Sequence, residues 1–408
     1  AEMSKRARKN RRSRNTQPAP ESASRAPGLV LRLVALLLVA LITIGIQTPV
    51  EAASIPIGIA PTDTTISKDG SMSFVLDTGG ATLTVIDPST HTPTMVIPLG
   101  VGAGVAMDCD WNETLQQVLI GCTNGQILWA DPTLGTSGTF ANNPAANYAV
   151  FCCDDKLPGT AGWAVDTATG TLHQIGIGGG WGAVAPVAIA TPVEIVEKTC
   201  DPNAVGTYDL DLLIGGTSAM GFATVQEFDR SSMLMLALGS WTVAPRNVTG
   251  ITSTRNAEVF VSANAPGAGP GDVLQFNLPA LTPVVAPVAT YPTGAAQDVS
   301  VAGQFLTILE NPLPGPGANY HLYDVGDPAN ILHMGDVWVD PGATGSLGLS
   351  TWVPPDETPS LDVIYAIHGD ASGIAISTDG EEIRITFTPA AAASVLAWLY
   401  NQQTMAVA

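Results

Sequence analysis

One strand–turn–strand unit ending on aspartate returns along this chain, and a chain built from such units buries its apolar residues only by setting the units side by side. The unit is clearest where it first occurs. Ser73-Phe-Val-Leu-Asp77 is followed by Thr78-Gly-Gly-Ala81, Thr82-Leu-Thr-Val-Ile-Asp87, Pro88-Ser-Thr-His91 and Thr92-Pro-Thr-Met-Val-Ile-Pro98. Three short apolar runs are joined by two turns of Gly, Pro, Asp and Ser, the residues that supply positive φ or an Asx-type turn. The spacing predicts a meander of antiparallel strands.

The Asp-terminated hairpin recurs at Ile127-Leu-Trp-Ala-Asp131, Gly162-Trp-Ala-Val-Asp166 and Ala223-Thr-Val-Gln-Glu-Phe-Asp229, with a fainter copy at Tyr320-His-Leu-Tyr-Asp324. Each carboxylate is placed to accept hydrogen bonds from the N–H groups of the turn that follows it, so these aspartates are read as structural. Seven units follow: residues 54–100, 101–144, 145–189, 190–243, 244–294, 295–341 and 342–389. A period of about 40 to 50 residues with four strands per repeat is that of a β-propeller. The expected fold is therefore all-β, a single β-propeller of seven four-stranded blades over residues 53–389. A β-sandwich of short strands does not predict the recurrent hairpin. After Pro389 an alanine-rich run with Val395, Leu396, Trp398 and Leu399 favours a short C-terminal helix in the tail 390–408.

Residues Lys68 to Gly100 resemble the YVTN-type (YncE-like) β-propeller repeat of secreted and surface-layer proteins. The likeness rests on Asp69-Gly70, the apolar strand, the Gly79-Gly80 turn, Leu83-Thr-Val-Ile-Asp87, the Thr-rich turn and the closing Leu99-Gly100. Ser54-Ile-Pro-Ile-Gly58 is similar to the end of the same repeat. The match extends over 54–131, is looser around 162–178 and fades beyond 230. The resemblance implies a seven-bladed, exported propeller, often with no enzymatic activity.

Charge is segregated along the chain. Nine of the sixteen Lys and Arg side chains, Lys5 to Arg32, precede the uncharged apolar stretch Leu33–Ile46, after which come Pro49 and the small residues around Ala52. Basic, apolar and small-residue segments in that order make a secretory signal, whose apolar part spans about 7 to 15 residues. Counting from Gly28 lengthens the apolar run toward the roughly 20 residues of a spanning helix. Residues 1–52 are expected to be a basic leader with a signal peptide cleaved after Ala52 or a retained signal anchor. Either way the remainder is expected to be exported, secreted or at the cell surface, with any membrane contact confined to the N-terminal segment. After Ala52 there are 33 acidic and seven basic side chains, a net of −26. Such a surface repels phosphate, so no nucleic acid partner is expected.

Cys109, Cys122, Cys152, Cys153 and Cys200 would lie in an oxidising compartment, and one or two structural disulfides among them are expected. Five is an odd number, so one thiol stays unpaired within the chain. No Cys-x-x-Cys spacing suggests a metal or haem.

No catalytic residue or cofactor is expected. Gly-x-Ser-x-Gly does not occur, and His91, His173, His321, His333 and His368 are dispersed without a His-x-x-x-His pair. The candidate metal ligands are the paired acids Asp108 and Asp110, Asp154 and Asp155, and Asp209 and Asp211. Residues two apart in a strand share a face, and two carboxylates aimed at one point begin a calcium site, although no calcium-loop motif completes one. Gly178–Gly182 lacks the Lys-Ser or Lys-Thr of a phosphate loop and reads as a connection. Asn112 and Asn247 head glycosylation sequons. Taken together, the residues point to a non-catalytic exported propeller that meets a protein or glycan of the cell envelope. The alternatives are a metal-dependent propeller enzyme such as a lactonase-like hydrolase, or a surface-layer or filament subunit.

Overall fold

The computed structural model describes residues 60–387. Left out are 89, 91, 103, 155–156, 198–210, 255–257, 268–269, 279, 292–293, 303–304, 313–317, 328–329, 339–345, 353–362, 369–372 and 379–382; positions 291, 302, 311–320 and 335–387 are described by their backbone alone. The expected leader (1–52) and C-terminal helix (390–408) lie outside the described residues.

All regular structure among the described residues is β-strand. Sheet 1 holds β1 (Pro61–Ile66), β2 (Ser73–Asp77), β3 (Thr82–Asp87) and β4 (Thr92–Pro98). Sheet 2 holds β5 (Ala106–Asn112), β6 (Gln117–Cys122), β7 (Gln126–Asp131) and β8 (Thr136–Asn142). Sheet 3 holds β9 (Val150–Cys153), β10 (Thr160–Asp166), β11 (Thr171–Gly176) and β12 (Trp181–Pro186). Sheet 4 holds β13 (Thr191–Glu197), β14 (Asp211–Thr217), β15 (Ala223–Asp229) and β16 (Leu234–Ser240). Sheet 5 holds β17 (Asn247–Ser253), β18 (Glu258–Asn264), β19 (Gly271–Asn277), β20 (Thr282–Pro283) and β21 (Ala289–Tyr291). Sheet 6 holds β22 (Gly294–Ala302), β23 (Phe305–Pro312), β24 (Ala318–Asp324) and β25 (Leu332–Trp338). Sheet 7 holds β26 (Ser346–Trp352), β27 (Val363–His368), β28 (Gly373–Thr378) and β29 (Ile383–Phe387).

Every ladder is antiparallel and runs in chain order, so each sheet is a meander matching one unit of the sequence. Six are blades of four strands. Sheet 5 departs from the expected four, because β20 and β21 pair with opposite ends of β19 and divide the outer position between them. The first strands β1, β5, β9, β13, β17, β22 and β26 are neighbours in that order, and β26 returns to β1, which closes a ring around a central channel.

Second strands are packed on both faces, as the wholly buried β2 and β10 illustrate. The apolar residues gather between adjacent sheets rather than in one centre: Phe74, Leu83 and Trp111 between sheets 1 and 2, Tyr148 and Phe151 between sheets 2 and 3, Trp163 and Phe228 between sheets 3 and 4, and Trp241 and Phe276 between sheets 4 and 5. Non-alternating apolar runs are what a sheet covered on both faces requires.

The turn aspartates do what their sequence implies. Asp131 accepts from the N–H groups of Thr133 and Leu134, Asp229 from Ser231, and Asp324 from Gly326. Asp166 differs in position: it ends the second strand of its sheet, whereas Asp87, Asp131 and Asp229 end third strands. Its counterpart is Asp77. Asp77 accepts from the N–H of Ala60 and Asp166 from that of Asn147, each a residue leading into the first strand of the same sheet. Second and third strands can both end on Asp, so the aspartate by itself does not distinguish them.

The expected disulfides are not formed among the described cysteines. Cys109, Cys122, Cys152 and Cys153 are buried free thiols, and Cys200 lies outside the described residues. The fold separates them: Cys109 and Cys122 sit between sheets 1 and 2 on non-partnered rungs of β5 and β6, Cys153 between sheets 2 and 3, and Cys152 between sheets 3 and 4.

Candidate functional site

An irregularity shared by the first strands builds the site. The pairing register slips between Pro61 and Asp63 in β1, Ala106 and Asp108 in β5, Pro192 and Glu194 in β13, and Ala296 and Asp298 in β22. A bulge adds one unpaired residue and re-aims the side chain beside it. In all four strands the residue that follows is an acid. The same slip in β17 and β26 is followed by Gly250 and Gly348. A Cβ at Gly250 would meet the Asp298 carboxylate, which would have to move aside. The carboxylate of sheet 6 thus leans over the inner strand of sheet 5.

These acids line a central cavity of about 400 Å³, together with Asp110, Glu197, Lys68 and the thiols of Cys109, Cys152 and Cys153. Three of the carboxylates reach from their own sheet to a backbone N–H of another. Asp63 Oδ2 accepts from the N–H of Cys109 at 2.6 Å, Asp108 Oδ2 from that of Phe151 at 2.7 Å, and Glu194 Oε2 from that of Ile251 at 2.7 Å. Asp110 joins three sheets, accepting from Cys153 N–H at 2.8 Å, Thr65 Oγ1 at 3.0 Å and its neighbour Trp111 N–H at 2.8 Å. The inner ring is stitched by carboxylates where inner strands of neighbouring sheets share no ladder.

Crowding acids in a closed wall makes them hold their protons. Burial raises the Asp63 carboxyl above the ordinary carboxylate range, and burial together with the charge of Asp63 pushes Asp108 well above it. The two side chains hydrogen-bond to each other, which holds the proton on Asp108 and favours the anion at Asp63. Burial lifts Asp110 to about 7. Glu194 is pushed far up by burial and then by the charge of Asp298. The thiols of Cys109, Cys152 and Cys153 are likewise driven up by burial first and acid neighbours second, which leaves them protonated and poor nucleophiles.

Of the sequence's paired acids, Asp108 and Asp110 alone among the described residues line the cavity. Asp154 is fully buried beside it, accepting from Trp163 Nε1 at 2.7 Å and from Leu157 N–H at 2.9 Å. It also meets Arg230, whose guanidinium is 3.1 Å from Asp154 and 2.6 Å from Glu197 with no solvent exposure. Asp211 opens β14 opposite Asp229, one rung from the buried Leu212, and does not line the cavity. Asp155 and Asp209 lie outside the described residues. Among the described residues no three His, Cys, Asp or Glu side chains are placed to hold a metal ion.

His173 packs in a ring cluster with Tyr148 and Trp181, and His321 pairs with Glu310 at 3.0 Å. His91 and the side chain of His368 lie outside the description. Asn112 is fully buried with its amide donated to the Ala161 carbonyl, which removes it as a glycosylation acceptor, while Asn247 is exposed. Gly178–Gly182 is the β11–β12 hairpin, with Gly179 at φ +76°.

Sequence reasoning missed Asp63, Glu194, Glu197, Asp298 and Arg230. A signal for three of them was present: Asp63, Asp108, Glu194 and Asp298 occupy one position of the first strand in units 1, 2, 4 and 6. Aligning first strands brings them into a column; searching for adjacent pairs does not.

No family model matches the chain, and no curated protein does either. Solved structures do. A chain of Kuenenia stuttgartiensis hydrazine synthase superposes with a TM-score of 0.61 at 14% identity, covering 82% of this chain and 99% of that one. A chain of the mitotic checkpoint complex gives 0.54 at 11% identity over 76% and 87%. U3-55K gives 0.56 at 10% identity over 76% and 89%. The chain is a β-propeller. At these identities the likeness speaks for the fold alone.

Proposed function

We propose that this propeller is an exported, non-catalytic scaffold that binds a protein or glycan of the cell envelope, secreted or held at the cell surface. The observation that carries the reading is the use of the channel acids. Asp63, Asp108, Asp110 and Glu194 each commit at least one carboxylate oxygen to a backbone N–H of the adjacent sheet, as elements of a framework. The basic and apolar order of residues 5–46 supports export, and the YVTN-type repeat at 54–131 supports a surface role. Cell fractionation with sequencing of the protein's N-terminus tests this. The expected product is found outside the cytoplasm, starting at Ala53 or retaining the leader in the membrane fraction. Full-length protein confined to the cytosol sinks the proposal.

One observation favours the hydrolase reading instead: Asp63 and Asp108 are hydrogen-bonded to each other on the cavity wall and differ in how strongly they hold a proton, an arrangement suited to acid–base chemistry. The two readings part in a calcium and zinc titration followed by melting and by lactone hydrolysis. A metal that binds the native state raises the melting temperature. The scaffold reading expects no turnover with either metal. Hydrolysis abolished by Asp63→Asn overturns it in favour of the enzyme.

A further inference from the structure

The outer strand of sheet 4 is unlike the other outer strands. Leu234, Met235, Leu236 and Leu238 of β16 are 63, 53, 53 and 47% exposed, and Val243 just beyond it is 74% exposed. No charged residue or histidine lies between Arg230 and Arg246. Among the described residues the strand is paired on one edge only, by β15.

Outer strands usually carry something that discourages a second chain from docking. Here β4 has Pro93 and Pro98, β8 is polar, β12 ends on Pro186, β20 and β21 are fragments, β25 contains Asp336 and β29 contains Arg384. The protection of β16 is limited to a register slip where Glu227 and Phe228 face Ala237 and Met235.

We propose that β16 is the surface on which a second copy of this chain docks, apolar side chain against apolar side chain across a twofold axis. Charge chooses the occupant. A basic partner is drawn to the acidic faces of a chain of net charge −20, whereas two acidic bodies meet at low cost only where neither carries charge. The strand is also self-complementary. With the axis at Leu236, each copy sets Leu236 against its counterpart, as an isologous contact requires. A standard interface takes about 800 Å² from each partner, and one strand with Val243 offers less, so the dimer is weak, with a Kd on the order of micromolar.

Sedimentation velocity of the full chain, over roughly a hundredfold range of concentration about the micromolar and at low and high sodium chloride, tests the proposal. The expected result is a monomer–dimer equilibrium that tightens with salt, because screening relieves repulsion between the acidic faces and leaves the apolar contact intact. Leu236→Lys and Leu238→Glu should each raise the Kd at least tenfold without changing the melting temperature, since both positions are exposed. A wild-type chain that stays monomeric throughout, a dimer that weakens with salt, or one indifferent to both substitutions overturns the proposal.

Discussion

Carboxylates do opposite work at the tips of the sheets and on the wall of the channel. At the tips, Asp69 accepts from Ser67 Oγ and from both Ser71 N–H and Oγ, and Asp229 from Ser231 N–H and Oγ and from Ser232 Oγ. Those hydrogen bonds pull both carboxyls below the ordinary value. On the wall, Asp110 also accepts three hydrogen bonds, yet burial carries it up to about 7. Three hydrogen bonds accompany a lowered value at Asp69 and a raised one at Asp110. What differs is water: a charge at a tip keeps part of its hydration, whereas one on the wall gives it up among other acids. A count of hydrogen bonds alone therefore does not say whether an acid stabilises a fold as the anion.

Arg230 joins the two regions and carries the largest expected effect. It follows the tip residue Asp229 and inserts fully buried between Asp154 and Glu197, the latter on the wall. Asp154, Glu197 and Trp163 remain in place when the guanidinium is removed, and an uncompensated buried carboxylate costs more than the pair contributes. Arg230→Met is expected to destabilise the chain by about 3 to 5 kcal/mol in urea denaturation. Asp154→Asn in the same background should recover part of the loss by removing the stranded charge. A cost below about 1 kcal/mol would mean that water reaches this cluster freely.

The tips were legible in the sequence and the wall was only half so, for a physical reason. An Asx-type turn is complete within three or four residues, so Asp131, Asp229 and Asp324 announced their partners by spacing alone. The blade period was legible for the same reason, since hairpins are local. The wall depends on residues 43 to 57 apart in sequence, as in Asp108 with Phe151 and Glu194 with Ile251, and on a bulge that no residue type marks. Asp154 was singled out as a metal ligand because its neighbour is acidic. Its partner Arg230 lies in another sheet, and only the ring brings them together.

The wall predicts an unusual pH response. Asp63, Asp108, Asp110 and Glu194 all have folded-state values above their ordinary ones. Between the unfolded and folded values the folded chain binds more protons than the unfolded chain, so stability falls as pH rises through that window. For Asp110 the window runs from 3.8 to about 7. Below it both states are protonated and nothing has been lost; above it the loss is complete. The unfolding free energy of the wild type in urea denaturation, and with it the urea midpoint, should fall as pH is raised from about 5 to about 8, the free energy by at most ~1.4 kcal/mol per pH unit for each proton involved. Asp110→Asn should flatten that slope. A midpoint rising with pH over the same range would show that the channel hydrates its acids after all.

The tips predict the smallest effect, with the opposite sign. Asp229 has a lowered value, so its contribution is present above the unfolded carboxyl value and is lost as pH falls through the folded one. Asp229→Ala removes acceptors for Ser231 and Ser232 on an exposed turn and should cost about 1 kcal/mol at neutral pH, the worth of a cap or turn hydrogen bond. Near pH 2, on the order of two units below the ordinary carboxyl value, the wild type and the variant should unfold at the same urea concentration. The comparison is clean because Arg230, next in sequence, keeps its charge throughout. A variant whose deficit persists undiminished in acid would show that Asp229 holds its turn by shape, with the carboxylate charge contributing nothing.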